Sequence, residues 1–407
     1  MESIEKKDVL NIALVCMFPF PIGLAATVRI IAYMRGLKEL GNKVTVYVNR
    51  PTDLYDKPTP NGKVCGSIEG VQYIYPGTRR YSKYKLLRGL GKFYYPFVTC
   101  KQIYKSHRDS KIDFLLMSND FLDFLFLYTT FARIIGVRPV FVSDEYPQPI
   151  RRYLKPEIPK IKKWAYSLIL RHVDSMVFMT KNLNLYYNSF LRKPFHILPS
   201  IVDTSRFENL ISTLPNDRKY LCYMGNMELA KDNVDNIICA FKLISSQFPD
   251  IDLRMWGKPA DVDRQIIESC IKDNDLEDRC FLMGYCPYEE VPNILSNAYV
   301  LVSSQPNTKR AQGGFPTKLA EYMCTGKPVL LTDVGEISSF VHHREHVFLA
   351  KVEDVNDYAL KLKELLDNYN ESIYMAKRAK EYVLKNYSYL SVSEQLFNFL
   401  INRKNEK

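Results

Sequence analysis

Short apolar runs, each about as long as one buried strand, recur along this chain, with stretches of helical spacing between them. That alternation restricts the fold to α/β architecture with mostly parallel sheets covered by helices on both faces. In the first half the runs are Asn11–Met17, Lys43–Val48, Ile112–Met117, Pro139–Ser143, Asp174–Met179 and His196–Leu198. A second series comprises Tyr220–Gly225, Asp252–Trp256, Cys280–Met283, Tyr299–Ser303 and Val329–Thr332. The polar, Pro-containing stretch Ser212–Asp217 between them reads as a linker. With 407 residues the chain is long enough for two cores. The expected division is therefore a first domain over 1–211, a linker over 212–217, a second domain over 218–385 and a closing helical segment over 386–407, with the break at Asn386-Tyr387-Ser388.

Within the first series, the strand at Asn11, the loop Phe18–Gly23, a helix over 24–40 and the strand at Lys43 make a βαβ unit. Its loop lies at the C-terminal edge of the strand, where open α/β sheets bind ligands. No GxGxxG follows the strand, which disfavours an oxidoreductase with a dinucleotide site. Arg29, near the second turn of the helix, is placed either to meet a phosphate above that edge or to be an ordinary surface arginine. Asp144 and Glu145 directly follow the Pro139–Ser143 run, at the end of a strand where such folds place chemistry, although a helix cap would use the same residue types.

The most informative motif runs from Ala311 to Pro328 (AQGGFPTKLAEYMCTGKP). Gly313 and Gly314 permit a sharp turn, Pro316 suits the first turn of a helix, and Gly326 with Pro328 ends it. A phosphate above this helix start would meet free amides at Thr317 and Lys318. Glu321, one turn on, is suited to a vicinal diol such as a ribose; an amphipathic helix with solvated Lys and Glu is the alternative. Lys231 lies in the loop after the Tyr220–Gly225 strand, on the same sheet edge, so it and the Gly313–Lys318 amides are expected to grip one diphosphate from two sides.

Charge is unevenly spread. Residues 1–200 hold 31 Lys and Arg against 15 Asp and Glu, whereas the remainder holds 25 against 30. A basic first half suggests an anionic partner there. Between Arg79 and Arg108 there is no acidic residue, and the cations, among them Lys83, Lys85, Arg88 and Lys92, alternate with Tyr81, Tyr84, Phe93, Tyr94, Tyr95, Phe97 and Tyr104. This is the composition of a peripheral contact with an anionic bilayer. A solvated helix with a buried aromatic face and a single-strand nucleic-acid surface share it, but no RNA-binding motif accompanies the patch, so no nucleic-acid partner is expected.

Nine cysteines show no CxxC or Cys/His spacing, so neither a metal site nor a disulfide framework is expected, and a reducing cytosol fits. The charged start Met1–Asp8 is unlike a signal peptide. The apolar run after Asn11 is broken by Pro19, Pro21 and Arg29, and that after Asp123 by Arg133 and Arg138, so no membrane-spanning helix is expected.

Taken in order, these segments resemble the GT-B glycosyltransferases, specifically the retaining glycosyltransferase family 4. Tyr223-Met224-Gly225-Asn226 through Lys231-Asp232-Asn233 is similar to the family's Gly-Arg…Lys-Gly loop. Phe281–Tyr285 with Gly284, followed by Glu290, Tyr299 and Ser303-Ser304, resembles its middle segment. The Ala311–Pro328 stretch resembles its double-Glu signature with a Gly-Lys-Pro-Val tail. Ile197–Ser200 with Asp203 and Phe207 resembles the segment before the interdomain linker, and Pro19–Thr27, with Gly23, the acceptor-side loop. The resemblance implies two Rossmann-like doubly wound domains facing across a cleft, with a last helix that returns to the first. It implies a UDP- or GDP-sugar donor bound in the second domain by Gly225, Asn226, Lys231, Gly284, Gly313, Gly314, Thr317, Lys318 and Glu321. Acceptor binding then falls to the first domain near Gly23 and Arg29, with Asp144 and Glu145 at the reacting face and neither metal nor cofactor beyond the donor. Together with the basic patch, it implies a glycan or lipid-diphosphate-linked sugar acceptor in bacterial surface polysaccharide or lipopolysaccharide synthesis, at the cytoplasmic face of the plasma membrane. Two positions depart from the pattern: Gly313 stands where the first Glu is usual and Asn226 where the loop Arg is usual. A non-catalytic nucleotide-sugar-binding or scaffold member of the same fold is the alternative these departures motivate.

Overall fold

The computed structural model describes residues 9–57, 63–208, 210 and 218–406. The expected linker at 212–217 and the charged start Met1–Asp8 lie outside the described residues. The chain forms two units: residues 1–149, 157–201 and 389–407 in one, and 150–156 with 202–388 in the other. The boundary before Val202, rather than beyond 211, has a packing reason. Val202 bridges to Ser388 and its N–H donates to Tyr387 O (3.1 Å), while Phe207 is buried in the core of the second unit.

The first unit is built on eight strands: β1 (Asn11–Cys16), β2 (Lys43–Val48), β3 (Cys65–Ile68), β4 (Val71–Ile74), β5 (Phe114–Ser118), β6 (Arg138–Ser143), β7 (Ser175–Phe178) and β8 (Phe195–Ile197). Their order is β3-β4-β2-β1-β5-β6-β7-β8, parallel except for the β3–β4 hairpin. That hairpin has no counterpart among the expected strands, because CGSI and VQYI are too short and too polar to stand out from loop sequence. Central strands such as β5 are buried throughout, as a sheet covered on both faces requires.

Right-handed crossovers fix which helix covers which face. The β1–β2 connection runs towards the hairpin edge, and the β4–β5, β5–β6 and β6–β7 connections run the other way. Helix Ala25–Glu39 therefore covers one face, and helices Lys85–Asp109, Leu122–Ile134 and Lys160–Leu170 cover the opposite one. The final helix, Tyr389–Asn405, packs on Ala25–Glu39: Ser393 Oγ donates to Tyr33 O (3.1 Å), and a Cβ at Gly36 would lie 2.2 Å from Ser393 Oγ. Only glycine admits that approach.

The second unit carries β9 (Lys219–Met224), β10 (Ile251–Trp256), β11 (Cys280–Gly284), β12 (Val300–Ser303), β13 (Val329–Thr332) and β14 (Phe348–Ala350), in the order β11-β10-β9-β12-β13-β14 and wholly parallel. The order reverses direction at β9, which makes the ends of β9 and β12 the switch point where such sheets bind ligands.

Candidate functional site

At the C-terminal ends of β9, β10 and β11 the backbones continue in contact. Gly225 N–H donates to Trp256 O (3.0 Å) and Gly257 N–H to Gly284 O (2.8 Å). Gly257 has φ +149°, and a Cβ there would fall 1.7 Å from Gly225 O, so no other residue fits. A Cβ at Gly225 would lie 2.5 Å from Tyr223 Oη and 2.7 Å from Lys318 Nζ. This glycine lets the loop lie directly on Lys318.

Lys318 is the first residue of the helix Lys318–Cys324. Its ammonium donates to Asp232 Oδ1 (2.9 Å) and Tyr223 Oη (3.2 Å) and sits 4.4 Å from the Tyr223 ring centre. Asp232 is only 2% exposed, and burial holds the Tyr223 phenol well above its usual value. The ammonium is thus already paired with Asp232, so at this helix start it is the backbone amides and not the Lys318 side chain that are left for an anion. Because Lys231 precedes Asp232 and Thr317 precedes Lys318, this one ion pair draws the Lys231 loop and the start of the helix together.

The helix start itself differs from the sequence expectation. Gly313 closes a separate short helix, Lys309–Gly313, whose first turn is capped by the Thr308 side chain accepting from Ala311 N–H (3.2 Å). Gly314 is extended at φ −95°, so the turn needs no left-handed backbone, and regular helix begins at Lys318, not Pro316. Thr317 precedes it without a side-chain cap bond. Asn226 is exposed on the loop, and Gly284 has φ +78° with open space around it.

Lys231 makes no side-chain hydrogen bond or ion pair among the described residues. Its backbone is nonetheless fixed, since the N–H groups of Lys231 and Asp232 both donate to Glu228 O (2.8 and 2.7 Å). The Glu228 carboxylate in turn pairs with Arg310 (3.3 Å), whose Nε is buried without a partner. Glu321 pairs with Arg206 at 2.7 Å. Arg206 stacks 3.5 Å above the Tyr288 ring centre and donates to Tyr288 O (2.7 Å). Burial raises the Glu321 carboxyl above its ordinary value, and Arg206 works against that rise. The sequence gives no sign of the roles of Arg206 and Arg310; Arg206 is 115 positions from its partner, and no local pattern marks such a pair.

In the first unit, Asp144 and Glu145 follow β6 as expected from the strand pattern. Arg29, however, is 4% exposed and donates to Asp144 Oδ1 (3.2 Å), Pro199 O (2.5 Å) and Leu198 O. Its donors are consumed inside the fold, so Arg29 holds Asp144 and the segment after β8 and is not a free phosphate ligand. Glu145 O accepts from Ser143 Oγ (3.0 Å). Gly23 leaves room for Thr27 Oγ1, which donates to Pro19 O (2.6 Å) and closes the loop after β1.

Lys83, Lys85 and Lys92 are exposed and Arg88 is half-buried. On the Lys85–Asp109 helix, Leu86, Leu90, Phe93 and Phe97 are also exposed, Phe93 by 81%. Arg79 does not belong to this surface: it is buried against Asp53 (3.0 Å) and Lys63 O (3.1 Å). Among the described residues, no helix is long and apolar enough to cross a membrane, and no three His, Cys, Asp or Glu side chains gather as metal ligands.

Comparison with known proteins bears on the family and the fold. Residues 205–382 match the family described as Glycosyl transferases group 1. A stretch of 119 residues is 30% identical to the amylovoran biosynthesis glycosyltransferase AmsK of Erwinia amylovora, covering 28% of this chain and 29% of that relative's length. Sucrose-phosphate synthase from Thermosynechococcus elongatus shares the fold over 97% of this chain and 98% of its own (TM-score 0.74, 16% identity). Anabaena HepE, solved in complex with UDP, does so over 97% and 100% (TM-score 0.72, 11% identity). At these identities the likeness is one of fold, and it is the GT-B type of α/β fold that the sequence resemblance implied.

Proposed function

We propose, from the premise that residues 205–382 match the Glycosyl transferases group 1 family, that this chain is a retaining glycosyltransferase that moves a hexose-type residue from a UDP- or GDP-sugar to a glycan acceptor. The observation that carries the reading is the Asp232–Lys318 pair at 2.9 Å, which joins the Lys231 loop to the helix start at Thr317 and Lys318, while the Lys231 ammonium makes no ion pair among the described residues. Breaking an anomeric bond delivers negative charge to the departing diphosphate, and a preplaced ammonium with aimed amides stabilises that charge without reorganisation. In this reading Gly225, Asn226 and Gly284 line the donor, Gly313 and Gly314 lie next to its sugar, and Glu321, kept in place by Arg206, accepts from the ribose hydroxyls. Within the first unit, Asp144 and Glu145 are the candidate reacting groups and Gly23 the candidate acceptor-side residue. The donor is a substrate, and neither a metal nor a further cofactor is part of the scheme.

The acceptor proposed is a lipid-diphosphate-linked sugar in surface polysaccharide assembly, with the enzyme peripheral at the cytoplasmic face of the membrane. Support comes from the basic, aromatic helix Lys85–Asp109 and from the likeness to a protein of amylovoran biosynthesis. The test is incubation with a panel of UDP- and GDP-sugars, following nucleotide diphosphate release, with Lys231→Ala and Glu321→Ala as controls. Slow release from one donor, lost in Lys231→Ala, is the expected result. Tight donor binding without release or transfer to any lipid-linked acceptor would instead make the chain a non-catalytic binder, as Gly313 and Asn226 suggest.

A further inference from the structure

Helix Lys160–Leu170 (KIKKWAYSLIL) presents an apolar stripe that nothing in the donor or acceptor scheme uses. Ile161 is 73% exposed, Trp164 63% and Leu168 40%, at spacings of three and four that place them on one side of the helix. The opposite side is held in the fold: Tyr166 and Leu170 are buried, and Tyr166 Oη donates to Asp120 O (2.5 Å) in the loop after β5. The helix contains no acidic residue, Lys160 and Lys162 are exposed, and Lys163 pairs with Glu157 (2.6 Å) in the segment before it.

We propose that Ile161, Trp164 and Leu168, ringed by Lys160 and Lys162, form a second point of contact with an anionic lipid bilayer. An indole settles at the headgroup level, apolar side chains enter just below it, and lysines meet lipid phosphates. The cationic surround favours an anionic surface over a neutral one. The crossover argument places this helix on the same sheet face as Lys85–Asp109, so both helices serve one side of the first unit. The proposal rests on the membrane reading above but names residues that reading does not include.

Trp164 also supplies the measurement, since the only other tryptophan, Trp256, is 9% exposed at the end of β10. The difference between the emission of the intact protein and that of Trp164→Phe reports position 164 alone. With vesicles of phosphatidylglycerol and phosphatidylethanolamine, this difference emission is expected to shift to the blue and to be quenched by bromine-labelled acyl chains. Phosphatidylcholine vesicles should leave it unchanged. Replacing Ile161 and Leu168 together by Ser is expected to weaken vesicle partitioning about tenfold, as the loss of two interfacial apolar side chains implies. Vesicle binding with no change in the Trp164 signal would overturn this proposal while leaving the Lys85–Asp109 contact standing. Absence of any vesicle binding would overturn both, and a blue-shifted signal that appears without lipid as protein concentration rises would replace the bilayer by a second copy of the chain.

Discussion

Asp232 and Lys318, 86 positions apart in sequence, meet at 2.9 Å with the Tyr223 hydroxyl completing the group. Asp232 is almost fully buried, so removing its charge strands the Lys318 ammonium. Asp232→Asn is expected to destabilise the second unit by about 3 kcal/mol, the usual cost of breaking a buried pair from one side. Lys231→Ala should leave stability unchanged, because among the described residues that ammonium has no partner to lose. Thermal melting of both variants checks the contrast: equal losses would mean Lys231 is part of the fold.

Glu321 gives a pH dependence of definite sign. Its carboxyl is raised in the folded state, by burial above all, so the folded chain holds this proton more tightly than the unfolded chain. The contribution to stability is therefore full below the ordinary carboxylate pKa and is lost as pH rises through the raised folded value. Glu321→Gln should flatten that part of the stability profile, and Arg206→Ala, which removes the opposing charge, should move it to higher pH. Denaturation midpoints measured across mildly acid pH decide; a profile unaltered by Glu321→Gln rules the assignment out.

Two glycines at neighbouring strand ends should differ sharply. Gly257→Ala drives a Cβ into Gly225 O and must break the contact that joins the ends of β9 and β10, so loss of soluble folded protein or of nucleotide binding is expected. Gly284→Ala meets open space and costs only the left-handed backbone, about 1 kcal/mol. Comparable yields and melting temperatures for the two variants would contradict this account.

Arg29→Met leaves Asp144 and the carbonyls of Leu198 and Pro199 without their donor. A loss of about 1–3 kcal/mol in the first unit is expected, since the carbonyls lose a buried donor while the Asp144 side chain, 25% exposed, stays partly solvated. Denaturation should show it in the absence of any substrate. A variant that melts normally but fails only with substrate would return Arg29 to the role of a ligand contact.

The sequence by itself determined the kind of fold and most strand positions, because apolar runs bounded by glycine and polar loops are local signals. It also located the Gly225–Lys231 loop, the Ala311–Pro328 stretch and the break at Asn386–Ser388, since glycine, proline and spacing act on neighbouring residues. Tertiary structure alone decided which charges are free. Arg29, Lys318 and Glu321 look equally available along the chain, yet Asp144, Asp232 and Arg206 occupy them, whereas Lys231 has no such partner among the described residues. It also decided that Val202 belongs with the second core, and it supplied the contact, Ser393 against Gly36, by which the last helix joins the first as the resemblance implied. The physical reason is the same in each case: ion pairs and close backbone contacts join residues far apart in sequence, and their energy depends on burial that no local pattern encodes.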